Sequence, residues 1–146
     1  MMVIIVHFVN TTSSARMVTH VIPGDLYVTG VTSLGDDVFV VRYGSQQIEV
    51  YDAVTSTLQR RLSVTELCLS YDLAACASNK CLYASDFDHA RVRRVELSGS
   101  NAVTNWSVGR GPTGLTVNSA KNVVVVIRDE CKLKEFTTHG TLVKTI

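Results

Sequence analysis

No long stretch of this sequence places apolar residues at i, i+3, i+4 and i+7, so almost no helix is expected. Charge of either sign is scarce. Lys and Arg number 14, Asp and Glu 13, and the net charge is +1. A balance that close to zero gives no whole-chain attraction to nucleic acid or to a membrane. Charged residues make up 18% and apolar residues 46%, which marks a globular chain and excludes a disordered one. The 146 residues suffice for a compact domain that buries about 68–70% of its unfolded surface. No apolar run is long enough to span a bilayer as a helix, which takes about 20 residues. The longest candidate, Met1–Val9, is interrupted by His7 and preceded by no Lys or Arg. It reads as a β-strand and not as a secretory leader. The expected location is the cytoplasm, with a secreted chain as the alternative.

Chemistry is sparse as well. Four cysteines are present, Cys68, Cys76, Cys81 and Cys131, with no Cys-x-x-Cys pair and no His at zinc-finger spacing. No metal or other cofactor is therefore expected. Cys76 and Cys81 flank the loop Ala77-Ser-Asn-Lys80. A four-residue hairpin there would set them opposite each other, in reach of a disulfide. The other reading is two small buried thiols in a reducing compartment, which fits the cytoplasmic expectation. His7, His20, His89 and His139 share no spacing and read as surface or packing residues. Gly109-Arg-Gly111 and Ser98-Gly-Ser100 are turns; neither opens a helix, so neither is a phosphate loop. Asn105-Trp-Ser107 and Asn10-Thr-Thr12 fit the glycosylation acceptor pattern, which has meaning only in a secreted chain. No catalytic residues can be assigned.

What the chain does have is repetition. Apolar runs begin at Val38, Cys81 and Val123, so the spacings are 43 and 42. Each is preceded by a short strand of small residues: Gly30–Ser33, Asp72–Cys76 and Gly114–Val117. Each is followed by an alternating strand at Ile48–Tyr51, Val92–Leu97 and Leu133–Phe136, then by a last strand at Thr57–Leu62, Val103–Val108 and Thr141–Ile146. Four strands in constant order at a period of about 42 residues are the signature of a propeller blade. The second strand is apolar on both faces, as a strand sandwiched between blades must be. The small first strand suits the crowded centre of a ring. The expected fold is all-β: a partial β-propeller of about three four-stranded antiparallel blades, half of a six-bladed ring, with little or no helix. The units divide as 25–65, 66–109 and 110–146. Residues 1–24 read as further strands, Met1–Val9 and Val18–Ile22, left from a preceding blade.

The last unit carries a recognisable pattern: Pro112-x-Gly-Leu-Thr-Val117, then Asn122-Val-Val-Val, Leu133-Lys-Glu-Phe136 and Gly140-Thr-Leu-Val. It resembles the NHL repeat. Asp72–Ala77 and Cys81–Asp86 look like a second copy, and the position after the second strand is Asp86 in that unit but Arg42 and Arg128 in the others. The resemblance implies a ring of blades used for binding proteins or, less often, RNA.

Function must then reside in the loops. The connectors after the second strands should share one face. They supply the candidate binding residues Arg42, Tyr43, Asp86, Phe87, Asp88, Arg91, Arg128 and Asp129. Tyr43 and Phe87 are aromatics flanked by charge, a composition enriched at interfaces. Arg91, Arg93 and Arg94 form a local basic cluster, best read as a solvated blade rim. Inner strands offer Asp72 and Asn118 and little else that could converge in a channel, with Asp72 read as a strand-start residue. The expectation is a noncatalytic module that binds a protein partner, with RNA possible and no membrane role. A hydrolase or lactonase-like propeller is the alternative, as is an inactive fragment of a longer propeller protein. Three units leave two blade faces unmatched, so a homodimer, or further blades, is expected to complete the ring.

Overall fold

The structure is a computed structural model that describes residues 25–146. The strands expected within 1–24, and His7 and His20, lie outside the described residues. Twelve strands follow in chain order: β1 Val28–Leu34, β2 Asp37–Arg42, β3 Gln47–Asp52, β4 Leu58–Ser63, β5 Leu73–Cys76, β6 Cys81–Asp86, β7 Arg91–Glu96, β8 Val103–Ser107, β9 Pro112–Val117, β10 Val123–Ile127, β11 Lys132–Phe136 and β12 Leu142–Thr145. They form three four-stranded antiparallel meanders, β1-β2-β3-β4, β5-β6-β7-β8 and β9-β10-β11-β12. The strands coincide with the four runs of each repeat to within one or two residues. Among the described residues the only helical element is one 3-10 turn, Arg128–Glu130.

Alternation sets which residues face which neighbour. Along β2, Phe39 and Val41 point one way and Val38 and Val40 the other. Phe39 and Val41 join Ile48, Val50 and Leu62 in a cluster with Leu73, Leu82, Ala84 and Val95, which is the junction between the first two sheets. Cys81, Tyr83 and Val92 turn the opposite way and meet Leu115, Val123, Val125, Ile127 and Phe136. That is the second junction. A strand buried on both faces cannot afford polar residues on either, which is why the second strands are nearly all apolar. Each fully buried Val or Leu contributes about 1.5–3 kcal/mol.

The three sheets converge on their first strands: β1 packs on β5, and β5 on β9. Side chains have almost no room there. A Cβ on Gly30 would lie 2.8 Å from the Cα of Asp72 and 3.0 Å from its carbonyl carbon. Polar groups bind these strands together. Thr29 Oγ1 donates to the Ser70 carbonyl. The Ala75 N–H donates to Thr32 Oγ1 at 3.2 Å, and the Leu115 N–H donates to Asp72 Oδ2 at 3.0 Å. The last two bonds each join residues 43 positions apart, so the sequence period becomes a physical stitch. The other oxygen, Asp72 Oδ1, accepts the N–H of Leu73 at 2.9 Å. Asp72 does stand at a strand start, and it also ties the second sheet to the third.

Two outcomes follow. Gly30→Ala should destabilise the chain by about 1–3 kcal/mol, because the neighbour it strikes is backbone and cannot rotate away; urea unfolding with an unchanged m-value would read this out. Burial raises the Asp72 carboxyl above its ordinary value, against the pull of the Leu115 and Leu73 N–H groups. The native state therefore holds that proton more tightly than the unfolded chain. Stability from this group is greatest below its unfolded pKa and falls as pH rises through the raised folded value. Asp72→Asn should flatten that part of the pH–stability profile while losing one of the two accepted N–H bonds.

Candidate functional site

The connectors that follow β2, β6 and β10 emerge at one end of their sheets, together with the segments that lead into β5 and β9. Backbone bonds fix them to each other: the Phe87 N–H to Leu69 O, Val108 N–H to Ala90 O, and Arg128 N–H to Gly111 O. At this end a cleft of about 230 Å³ is lined by Phe87, Asp88, Ala90, Arg110, Gly111 and Asp129. It lies between the β6–β7 loop, the β8–β9 loop and the 3-10 turn.

Three of the sequence candidates, Phe87, Asp88 and Asp129, meet in this cleft. A fourth, Arg128, lies beside it with its guanidinium carbon 4.7 Å from the centre of the Phe87 ring. On the ring's other contact, Tyr71 stands edge-on at 5.2 Å between centroids. Phe87 is thus held by a cation–π contact and an aromatic pair, each worth about 0.5–1.5 kcal/mol. Arg128 Nε also meets Asp129 Oδ1 at 3.1 Å. By contrast, Asp88 and Arg110 have no ion-pair partner among the described residues and are exposed. The cleft therefore offers one unmatched carboxylate and one unmatched guanidinium around an aromatic ring.

Sequence reasoning passed over Arg110 and Gly111, reading Gly109-Arg-Gly111 as a turn. Both glycines have positive φ, 116° and 73°. A Cβ on Gly111 would sit 2.7 Å from the Asp129 carboxylate. The left-handed φ at Gly111 suits glycine, its missing Cβ leaves room for the Asp129 carboxylate, and the turn places Arg110 at the cleft. Two glycines one residue apart were the signal. Glu130 ties the Arg110 backbone to the 3-10 turn: its carboxylate pairs with Lys134 at 2.9 Å and accepts the Arg110 N–H at 3.2 Å. Lys134 and that N–H hold Glu130 below the usual carboxylate range.

Arg42 and Asp86 must be corrected. Neither is a surface contact: Arg42 is 6% exposed and Asp86 fully buried. Asp86 Oδ2 receives Arg93 Nε at 2.6 Å, and Asp86 Oδ1 lies 2.9 Å from His89 Nδ1. Arg42 Nε pairs with Glu49 Oε2 at 3.0 Å, and Arg42 Nη1 donates to the Leu26 carbonyl. Arg42 and Asp86 each end the second strand of their sheet, and Glu49 and Arg93 each stand third in the third strand. The two sheets carry the same buried ion pair with its signs exchanged. In the third sheet the inward-facing counterpart is Ile127, not Arg128, and Lys134 stands in the place of Arg93. Of the basic cluster, Arg93 is buried in this pair, so it is not rim. Tyr43 is exposed but belongs to the first sheet and does not line the cleft; neither does Arg91, half-buried at the start of β7.

Cys76 and Cys81 are direct cross-strand partners. Both are buried and their thiols are free, so no bridge joins them here. Burial pushes the Cys81 thiol up, which keeps it protonated and unreactive. No group of three or more His, Cys, Asp or Glu side chains among the described residues could hold a metal. No helix among those residues is long and apolar enough to cross a membrane.

No protein-family model matches this sequence, and no curated protein sequence matches it. Solved structures do. A virginiamycin B lyase variant from Staphylococcus aureus, with quinupristin, superposes with a TM-score of 0.73 at 15% identity, over 90% of this chain and 45% of that one. The hydrazine synthase of Kuenenia stuttgartiensis gives 0.70 at 16%, over 85% and 37%. A streptogramin B lyase gives 0.68 at 16%, over 81% and 39%. At these identities the likeness establishes the fold: three β-propeller blades, in an arc spanning less than half the length of those neighbours.

The ion pair of the second blade is open to test. Asp86→Asn leaves a guanidinium buried without its counter-charge and should cost about 3–5 kcal/mol. The double variant Asp86→Leu/Arg93→Met should recover most of that loss. Thermal unfolding of the three proteins side by side gives the comparison.

Proposed function

We propose that this chain is a noncatalytic propeller module that binds a segment of a protein partner in the cleft between its second and third blades. The observation that carries this reading is the Arg110 guanidinium and Asp88 carboxylate, without ion-pair partners among the described residues, lining one cleft with Phe87. A guanidinium fork reads a carboxylate in a bidentate manner, and a free carboxylate takes a Lys or Arg. An extended peptide carrying both charges around an apolar residue would satisfy all three. The NHL-like pattern of Pro112–Val117, Asn122–Val125 and Leu133–Phe136 supports the same class, with RNA as the lesser option. Chemistry at His89 is disfavoured because its partner Asp86 is already matched by Arg93, so the pair reads as a structural clamp.

A catalytic reading has one observation in its favour. His89 is oriented through Nδ1 by a buried carboxylate, as general bases are, and a histidine-to-alanine variant of the virginiamycin B lyase neighbour is described as catalytically inactive. A cyclic-ester turnover screen with wild type and His89→Ala tests it; turnover lost in the variant would move the assignment to an enzyme.

For the binding reading, peptides selected from a displayed random library on the purified chain are the probe. Arg110→Glu should weaken the selected peptides by about tenfold or more, and Arg110→Lys by less, since a point charge replaces the fork. Enrichment of peptides indifferent to Arg110, Asp88 and Phe87 alike would overturn the assignment of the cleft.

A further inference from the structure

We propose that Cys76 and Cys81 are a modification site: a cross-strand pair that a small-molecule disulfide oxidises to a bridge while the second blade folds, and that this bridge staples the middle blade. Both are free thiols in the structure. Cys76 ends β5, Cys81 begins β6, and the two are direct partners in the ladder. Opposed residues of an antiparallel pair stand about 4.5 or about 5.5 Å apart between Cα atoms. Both spacings lie within the about 4.4–6.8 Å that a disulfide spans. Direct partners also point to one side of a sheet, and both cysteines belong to the apolar cluster of the second junction. The loop between them fixes the opposition. Lys80 takes a left-handed φ of 45°, and its N–H returns to the Ala77 carbonyl at 3.3 Å.

The other blades provide an internal comparison. The same rung holds Ser33 opposite Val38 in the first blade and Val117 opposite Val123 in the third. Only the second blade places there two groups that oxidation can join. The remaining cysteines, Cys68 and Cys131, are exposed, and neither lies in a strand.

Timing follows from burial. Cys76 and Cys81 are 3% and 0% exposed, so the closed fold keeps an oxidant away from them. Burial also holds the Cys81 thiol protonated, while the Arg94 guanidinium beside it pulls the other way. A contact closed by a four-residue loop is local and forms early, before the third blade covers it. One cysteine thiolate then attacks a sulfur of the oxidant and expels a thiolate. The other cysteine thiolate displaces the second half from the mixed disulfide. One S–S bond breaks and one forms. The two cysteines are oxidised, the oxidant is reduced to two thiols, and those thiols take up the two cysteine protons. This hairpin is at the end of β6 opposite the cleft, so the bridge and the binding reading stand or fall separately.

The test is refolding of the full chain, carrying Cys68→Ser and Cys131→Ser, from urea in a buffer of oxidised and reduced glutathione. Alkylation of free thiols and a tryptic map follow. Trypsin cleaves after Lys80, between the two cysteines, so a bridge leaves two peptides joined. Most of the refolded protein should carry that link. It should melt about 5 °C or more above the same protein after reduction, and Cys76→Ala should show no such shift. Recovery of the two cysteines on separate peptides, alkylated or carrying glutathione, from protein with native circular dichroism would overturn the proposal. So would a linked form that melts below the reduced one, or a shift that survives in Cys76→Ala.

Discussion

The constraint on which this molecule depends is crowding at the convergence of β1, β5 and β9. Three sheets can be wedged together only if their first strands nearly touch. Gly30 against the Asp72 backbone is where that contact is tightest. The wedge dictates small residues on the inside, apolar residues on both faces of the second strand, and freedom for polar residues only toward the rim. It also brings residues 43 apart in sequence within hydrogen-bonding distance, which is what the Thr32–Ala75 and Asp72–Leu115 bonds use. Nearest-neighbour stacking of this kind makes stability a sum over blades and junctions.

Charge is handled by burial in pairs. Arg42–Glu49 and Asp86–Arg93 stand at one position of the repeat in opposite senses. A buried pair costs desolvation on both ions, so what the repeat preserves is the neutrality of the site rather than either sign. In the third blade Ile127 removes the problem and Lys134 turns to Glu130 and the Val108 carbonyl. The shift of Lys134 toward Glu130 is also what secures the 3-10 turn beneath the cleft. The third-strand position that belongs to a buried ion pair in the first two sheets thus holds, in the third, a lysine that anchors Glu130 of the turn.

Much of the architecture was legible because side-chain alternation and the period of about 42 residues survive in one dimension. Strand order, the double-faced second strands, the opposition of Cys76 and Cys81 across a four-residue loop, and a shared loop end all follow from spacing. The sequence by itself determined these because hairpins are local: register is set by the turn and by which residues must be dry. What only the tertiary structure decided is which charges are free. Arg42 and Asp86 look like loop residues, yet each ends a strand diagonal to an unlike charge seven positions on, and the two pair out of solvent. Arg110 looks like the middle of a turn, yet Gly111 passes beneath Asp129 and leaves its guanidinium at the cleft. Exposure of Val126 and Leu133 depends on the absence of a neighbour among the described residues, and residue type does not record it. The ion pairs and the Gly111–Asp129 approach each lie within one blade, but whether a charge there is dry or open depends on what packs over it, and no local pattern encodes that packing.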